Sequence, residues 1–158
     1  MILYTIELIH IESGAKMKKV LLILFLSNII YSFTEKEQKY QEINQDSKLI
    51  ESIKRGKEIY VDMCVTCHLP NGQGIPSVFP PLANSDYLLS KRAESIRAIK
   101  KGVKGKMIVN GVTYRQIMPP LGLENDEVAD VMNYITNAWG NKNLKMITVD
   151  EVEMESKN

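Results

Sequence analysis

Histidine, cysteine and tryptophan are scarce in this chain: its 158 residues hold two His, two Cys and one Trp. A structural zinc site takes four ligands. With no second Cys pair and no His beyond His68, that class is excluded. Excess charge is also missing, since the formal net charge is +1. Three lysines and two acidic residues lie within residues 1–32, leaving 17 basic and 17 acidic side chains of the 20 and 19 in the whole chain. Nucleic-acid binding calls for a strong basic bias, and none is present. No internal repeat is visible, and no apolar run reaches the roughly 20 residues that span a bilayer.

The longest apolar stretch is short and near the start. Met17, Lys18 and Lys19 precede Val20–Ile30, an apolar run of 11 residues followed by Tyr31, Ser32 and Phe33. A basic start, a short apolar core and a small residue near its end match a secretory signal peptide, expected over 17–32 with cleavage near Ser32. Residues 1–16 are then read as a mis-assigned start, which removes His10 from consideration. An uncleaved N-terminal anchor is the alternative. Either way the location is periplasmic or otherwise exported, and a membrane is involved only if the apolar segment stays on.

Residues 33–47 are polar and rich in Glu, Lys and Gln, and read as an exposed linker. Leu49, Ile53, Tyr60 and Val61 then recur at helical spacing, predicting a helix over 48–62. Pro and Gly crowd residues 69–85 and predict a long irregular loop, unusual unless it wraps something. Ser90 is expected to cap a helix ending near Lys101, with Gly102 at its boundary. Asn110-Gly111 between Met107–Val109 and Val112–Tyr114 is a two-residue hairpin signal. Asn125 is expected to cap a last helix that ends at Gly140, its apolar face supplied by Val128, Val131, Met132, Ile135, Ala138 and Trp139. The folded unit is therefore expected over 48–140, three helices around two long loops, with 141–158 a polar acidic tail.

Two Cys in an exported protein would ordinarily form a disulfide. Here they stand in Cys64-Val65-Thr66-Cys67-His68, the pattern of covalent haem attachment. Two thiols three positions apart can each add to one vinyl group on the same porphyrin edge, and the next residue supplies an imidazole to the iron. A redox dithiol would be expected in a strand-and-helix sheet fold, yet no strand pattern precedes Cys64. The second axial position needs another donor, and a Met thioether is the usual partner to His in electron-transfer haems. Of eight Met, Met118 is favoured, because Pro119 and Pro120 stiffen its loop. Met107 is the competitor, better explained by packing at the start of a strand.

Cys64-Val-Thr-Cys67-His68, Gly72-Gln-Gly74, Phe79-Pro80-Pro81-Leu82, Ile117-Met118-Pro119-Pro120 and a closing helix with Tyr134 and Trp139 together resemble a class I c-type cytochrome. The likeness covers about residues 50–140. The stretch Asn110–Pro120 is similar to the small cytochrome domains attached to copper nitrite reductases, dehydrogenases and terminal oxidases. The resemblance implies an all-α cytochrome c fold wrapped around one covalent, iron-containing haem c, with a short β-hairpin near 107–114. It implies that a proline carbonyl in the loop accepts a hydrogen bond from the axial His68; Pro80 matches that place, with Pro81 its close competitor. It also implies that the first and last helices cross at Gly56, packed by Tyr60 and Tyr134. Tyr114 and Arg115 are within reach of a haem propionate but read as solvated hairpin positions.

With His68 and Met118 both on the iron, no open site remains for a substrate. The expected protein is an electron carrier and not an enzyme, a monomer that meets redox partner proteins in a membrane complex or a periplasmic oxidoreductase. The alternative is a dedicated haem subunit of a dehydrogenase, nitrite reductase or terminal oxidase. Residues 86–106 carry seven basic and two acidic side chains, a surplus suited to steering toward an acidic partner.

Overall fold

In a computed structural model of the chain, residues 46–143 and 145–157 are described. The expected signal peptide and nearly all of the polar linker lie outside the described residues. The expected first helix is present; its described part runs through residues 46–63 (α1). Its core face is Leu49, Ser52, Ile53, Gly56, Ile59 and Tyr60, whereas Val61, expected on that face, is 53% exposed. A single turn, α2 (Val65–His68), follows directly.

The helix expected to end near Lys101 is α4 (Arg92–Lys101), with Gly102 at its boundary, and a short helix with no counterpart in the expectation, α3 (Asp86–Ser90), precedes it. Ser85 is the cap of α3: its side chain accepts the Leu88 amide at 3.2 Å. Ser90 closes α3 instead of capping α4, donating from Oγ to the Asp86 carbonyl at 2.6 Å. Strands β1 (Met107–Val109) and β2 (Val112–Tyr114) pair antiparallel in the register Met107 with Tyr114. Asn110 and Gly111 both have positive φ, as a tight two-residue hairpin of matching twist requires. Asp86 pins this turn to α3, accepting the Asn110 amide at 2.7 Å while its own amide donates to the Asn110 side chain at 2.9 Å.

The last expected helix is α5 (Asn125–Ile135), which ends short of Gly140, so that Ala138 and Trp139 lie in the turn that follows it. Its cap is Glu124 and not Asn125: the Glu124 amide donates to the Glu127 carboxylate at 2.8 Å, half of a capping box. Helices α1 and α5 cross at Gly56, where a Cβ would lie 1.9 Å from the Asp130 carbonyl oxygen. Around this crossing, Ser52 Oγ donates to Asp130 at 2.6 Å and the Arg55 guanidinium to the same carboxylate at 2.6 and 2.8 Å. Tyr60, Tyr134 and Trp139 close the far side of the crossing as three mutually packed rings, centroids 5.0 to 5.4 Å apart.

The folded unit does not stop at residue 140, contrary to the expectation of a free acidic tail. Residues Val149–Lys157 form a helix, α6, packed on α4 and α5, and Ile147 and Val152 are completely buried. Arg92 holds Glu151 through two bonds, at 2.5 and 2.6 Å, and also donates to the carbonyls of Lys145 and Met146. Arg97 pairs with Glu155. The buried Asn133 side chain exchanges two bonds with the Ile147 backbone, at 2.9 and 2.7 Å. The segment looked like a tail because its partners are two arginines more than 50 positions earlier, which no local pattern reveals. Among the described residues, no helix is long and apolar enough to cross a membrane.

Candidate functional site

The end of α1 and the turn α2 place Cys64, Cys67 and His68 on one wall of a cleft. Helical hydrogen bonding continues through the segment: the Cys64 amide donates to Tyr60 and the His68 amide to Cys64, each at 3.0 Å. Positions 64, 67 and 68 therefore stay on neighbouring sides of one turn. Both cysteines are free thiols. Burial, reinforced by Cys67, pushes the Cys64 thiol up to about 11, so it is protonated at neutral pH. That is the opposite of the depressed value a nucleophilic redox thiolate shows.

His68 Nδ1 donates to the Pro80 carbonyl oxygen at 2.9 Å. A proline carbonyl can only accept, so the proton must be on Nδ1, and a neutral ring then carries its lone pair on Nε2. Burial lowers the His68 pKa from its ordinary value, the Pro80 bond offsetting this only in part, and the ring stays neutral at pH 7. Pro80 is placed by the Pro- and Gly-rich loop over residues 69–85. The amide of Gly74 donates to the His68 carbonyl at 3.0 Å, and Ile75 and Phe79 exchange two backbone bonds at 2.8 Å. A Cβ on Gly74 would sit 2.4 Å from the Phe79 carbonyl oxygen and 2.6 Å from that of Pro80. The Gly72-Gln-Gly74 turn is thus a close-packed support for Pro80.

Met118 also lines the cleft. Its backbone pairs with Val103 in both directions, at 2.8 and 3.1 Å. Gly102, with positive φ, lies directly against the Met118 carbonyl; a Cβ there would approach within 2.5 Å. The end of α4 therefore holds the Met118-Pro119-Pro120 segment in place. Met107 lines the cleft as well, as do Met63 and Met132. The Met118 segment is the one clamped by both a backbone bridge and two prolines.

The cleft encloses roughly 1280 Å³ of atom-free space, its solvent-facing part included. Its walls are almost wholly apolar, with Phe79, Leu82, Leu88, Ile99, Val109 and Leu121 prominent. Tyr114, read from sequence as solvated, is buried and faces this space, because the pleat of β2 turns it opposite to Thr113; Arg115 is exposed as expected. One lining group had no sequence signal at all: the Ser95 hydroxyl, buried on α4 without a hydrogen-bond partner. The donor set of two thiols, one tautomer-fixed imidazole and thioether sulfurs, in an apolar slot with a mouth, suits a flat, covalently held macrocycle with an iron centre. Among the described residues, no group of three or more His, Cys, Asp or Glu side chains is placed to hold a metal ion by itself.

Comparison with known proteins agrees. The family described as Cytochrome c matches residues 53–139. Cytochrome c-552 of Thermus thermophilus is 38% identical over 107 residues, covering 62% of this chain and 81% of that protein. The cytochrome c subunit of the quinone alcohol dehydrogenase of Gluconacetobacter polyoxogenes is 27% identical over 111 residues, 61% of this chain but 21% of that subunit. The cytochrome c subunit of gluconate 2-dehydrogenase of Pantoea cypripedii is 24% identical over 137 residues, 80% of this chain and 31% of the subunit.

Proposed function

The chain belongs to the cytochrome c family, binds haem c covalently and is an electron carrier; from this premise we propose that Cys64 and Cys67 hold the haem and that His68 and Met118 are its axial ligands, in an exported protein that shuttles single electrons. The observation carrying this reading is that both thiols, the tautomer-fixed imidazole and the clamped Met118 line one apolar cleft. Bound haem supplies a one-electron iron couple, and Met ligation with apolar burial raises its potential relative to two imidazoles. The protein's residues do the rest. The Pro80 carbonyl orients the imidazole and raises its basicity as a ligand. The Val103 bridge and Gly102 hold the Met118 backbone, so that a weak thioether donor is kept at a set distance. Leu82, Ile99, Val109 and Leu121 keep water off the slot.

The mouth of the cleft supports outer-sphere transfer. Met63 and Ile117 both line the cleft and are exposed, the latter by 61%. The basic surplus of residues 86–106 is smaller than its sequence count, because Arg92 and Arg97 are taken up by Glu151 and Glu155 of α6. Lys91, Lys101, Lys104 and Lys106 are exposed and left to steer an acidic partner. A free shuttle is the first reading. The second, a haem subunit of a dehydrogenase complex, is favoured by the likeness to the alcohol and gluconate dehydrogenase subunits.

Three experiments test this. Met118→Ala should lose the weak band near the red end of the ferric spectrum while the haem stays covalently attached; a persisting band means another axial ligand. Purification from native membranes should yield the protein without a stoichiometric partner, and a stable complex would decide for the subunit reading. Sequencing the N-terminus of the mature protein tests export with cleavage near Ser32.

A further inference from the structure

Among the described residues, Ser95 Oγ is the one buried side-chain polar atom with no hydrogen-bond partner. The residue is 6% exposed. A serine within a helix either points its hydroxyl to solvent or bonds the carbonyl four positions earlier. Here that carbonyl, of Lys91, takes the Ser95 amide at 2.9 Å, and the hydroxyl makes no such bond. Ser95 lines the cleft together with Ala98 and Ile99, on the helix whose end is tied to Met118 through Gly102 and Val103. An unmet hydroxyl in apolar surroundings is destabilising, and an alanine would fit the same helix without that penalty.

We infer that the Ser95 hydroxyl acts on the cofactor: it is a rotatable dipole on the α4 wall of the cleft that favours oxidised over reduced haem and so lowers the reduction potential. This rests on the cleft being the haem site. A porphyrin dianion cancels the charge of ferrous iron and leaves ferric iron with one net positive charge. A hydroxyl engaged by no other group is free to turn its oxygen toward that added charge. In a slot walled by Ile99, Val131 and Met132 the response is little screened. On oxidation one electron leaves the iron for the acceptor protein. No bond forms or breaks at Ser95, and it releases no proton.

The test is a spectroelectrochemical titration of the full-length holoprotein as wild type, Ser95→Ala and Ser95→Thr. Ser95→Ala should raise the midpoint, so that at fixed ambient potential the ferric-to-ferrous ratio falls about threefold to tenfold, tenfold being about 59 mV for a one-electron couple. Ser95→Thr, which keeps the hydroxyl, should stay near wild type. Ser95→Ala should also melt no lower than wild type, since it removes an unmet polar group. An unmoved or lowered midpoint in Ser95→Ala overturns the inference, as does a Ser95→Thr midpoint equal to that of Ser95→Ala. A lower melting temperature with an unmoved midpoint assigns the hydroxyl to the fold instead. The red-end band in each variant reports Met118 separately, so failure here is distinguishable from failure of the axial assignment.

Discussion

The imidazole of His68 and the carbonyl of Pro80 are joined at 2.9 Å across twelve residues of loop, and Gly74 is the wedge point that keeps them so. Because Gly74 has φ +61° and no room for a Cβ against Phe79 and Pro80, its replacement must displace the proline carbonyl. Gly74→Ala is expected to lower stability by roughly 1–3 kcal/mol and to shift the reduction potential by loosening the imidazole's partner. Thermal melting and a redox titration of the variant check both; an unchanged potential would show that Pro80 can be moved without effect on the iron.

Gly56 tests the helix crossing independently of the site. A Cβ there meets the Asp130 backbone at 1.9 Å, so α1 and α5 have to separate to accept it. Gly56→Ala gains helix propensity of about 1 kcal/mol yet should be destabilised by more than that, an outcome opposite to an exposed Gly→Ala change. A melting temperature at or above wild type refutes the close crossing.

The Arg92–Glu151 pair makes stability depend on pH in acid. Its partner Arg92 holds the Glu151 carboxyl below its ordinary 4.5. A carboxylate depressed on folding stabilises the fold above its unfolded value, and that contribution is lost as pH falls through the folded value. Glu151→Gln should therefore cost on the order of 1 kcal/mol at pH 7. The gap from wild type should close progressively below pH 4.5, the ordinary value. Denaturant melts of the two proteins at pH 7, 5 and 3.5 or so read this out, and a gap that persists at the lowest pH contradicts it.

Helix α6 should behave as part of the domain. Ending the chain after Asn143 removes the buried Ile147 and Val152 and leaves the Asn133 amide without its backbone partner. Two buried aliphatic side chains are worth about 1.5–3 kcal/mol each, so the truncated protein should lose several kcal/mol and expose α4, which carries Ser95. A truncated protein that melts like the full chain would return residues 144–158 to the status of a tail.

Much of this molecule is legible in its chain alone. Cys64, Cys67 and His68 are joined by covalent spacing alone, so a local pattern sufficed to name the cofactor chemistry. The hairpin at Asn110-Gly111 was equally local, since positive φ at two successive residues is a property of those residues. The caps are less so: Ser90 and Asn125 are sound candidates by residue type, but α4 begins after Lys91 with no side-chain cap and α5 begins after Glu124. Helix α6 was missed because Glu151 and Glu155 acquire meaning only opposite Arg92 and Arg97, and Ile147 only beneath Asn133. Ser95 was invisible for the same reason. A serine in an amphipathic helix reads as solvated until the fold turns its hydroxyl into an apolar cleft, because burial depends on which other segments arrive, and no window of one chain segment contains them.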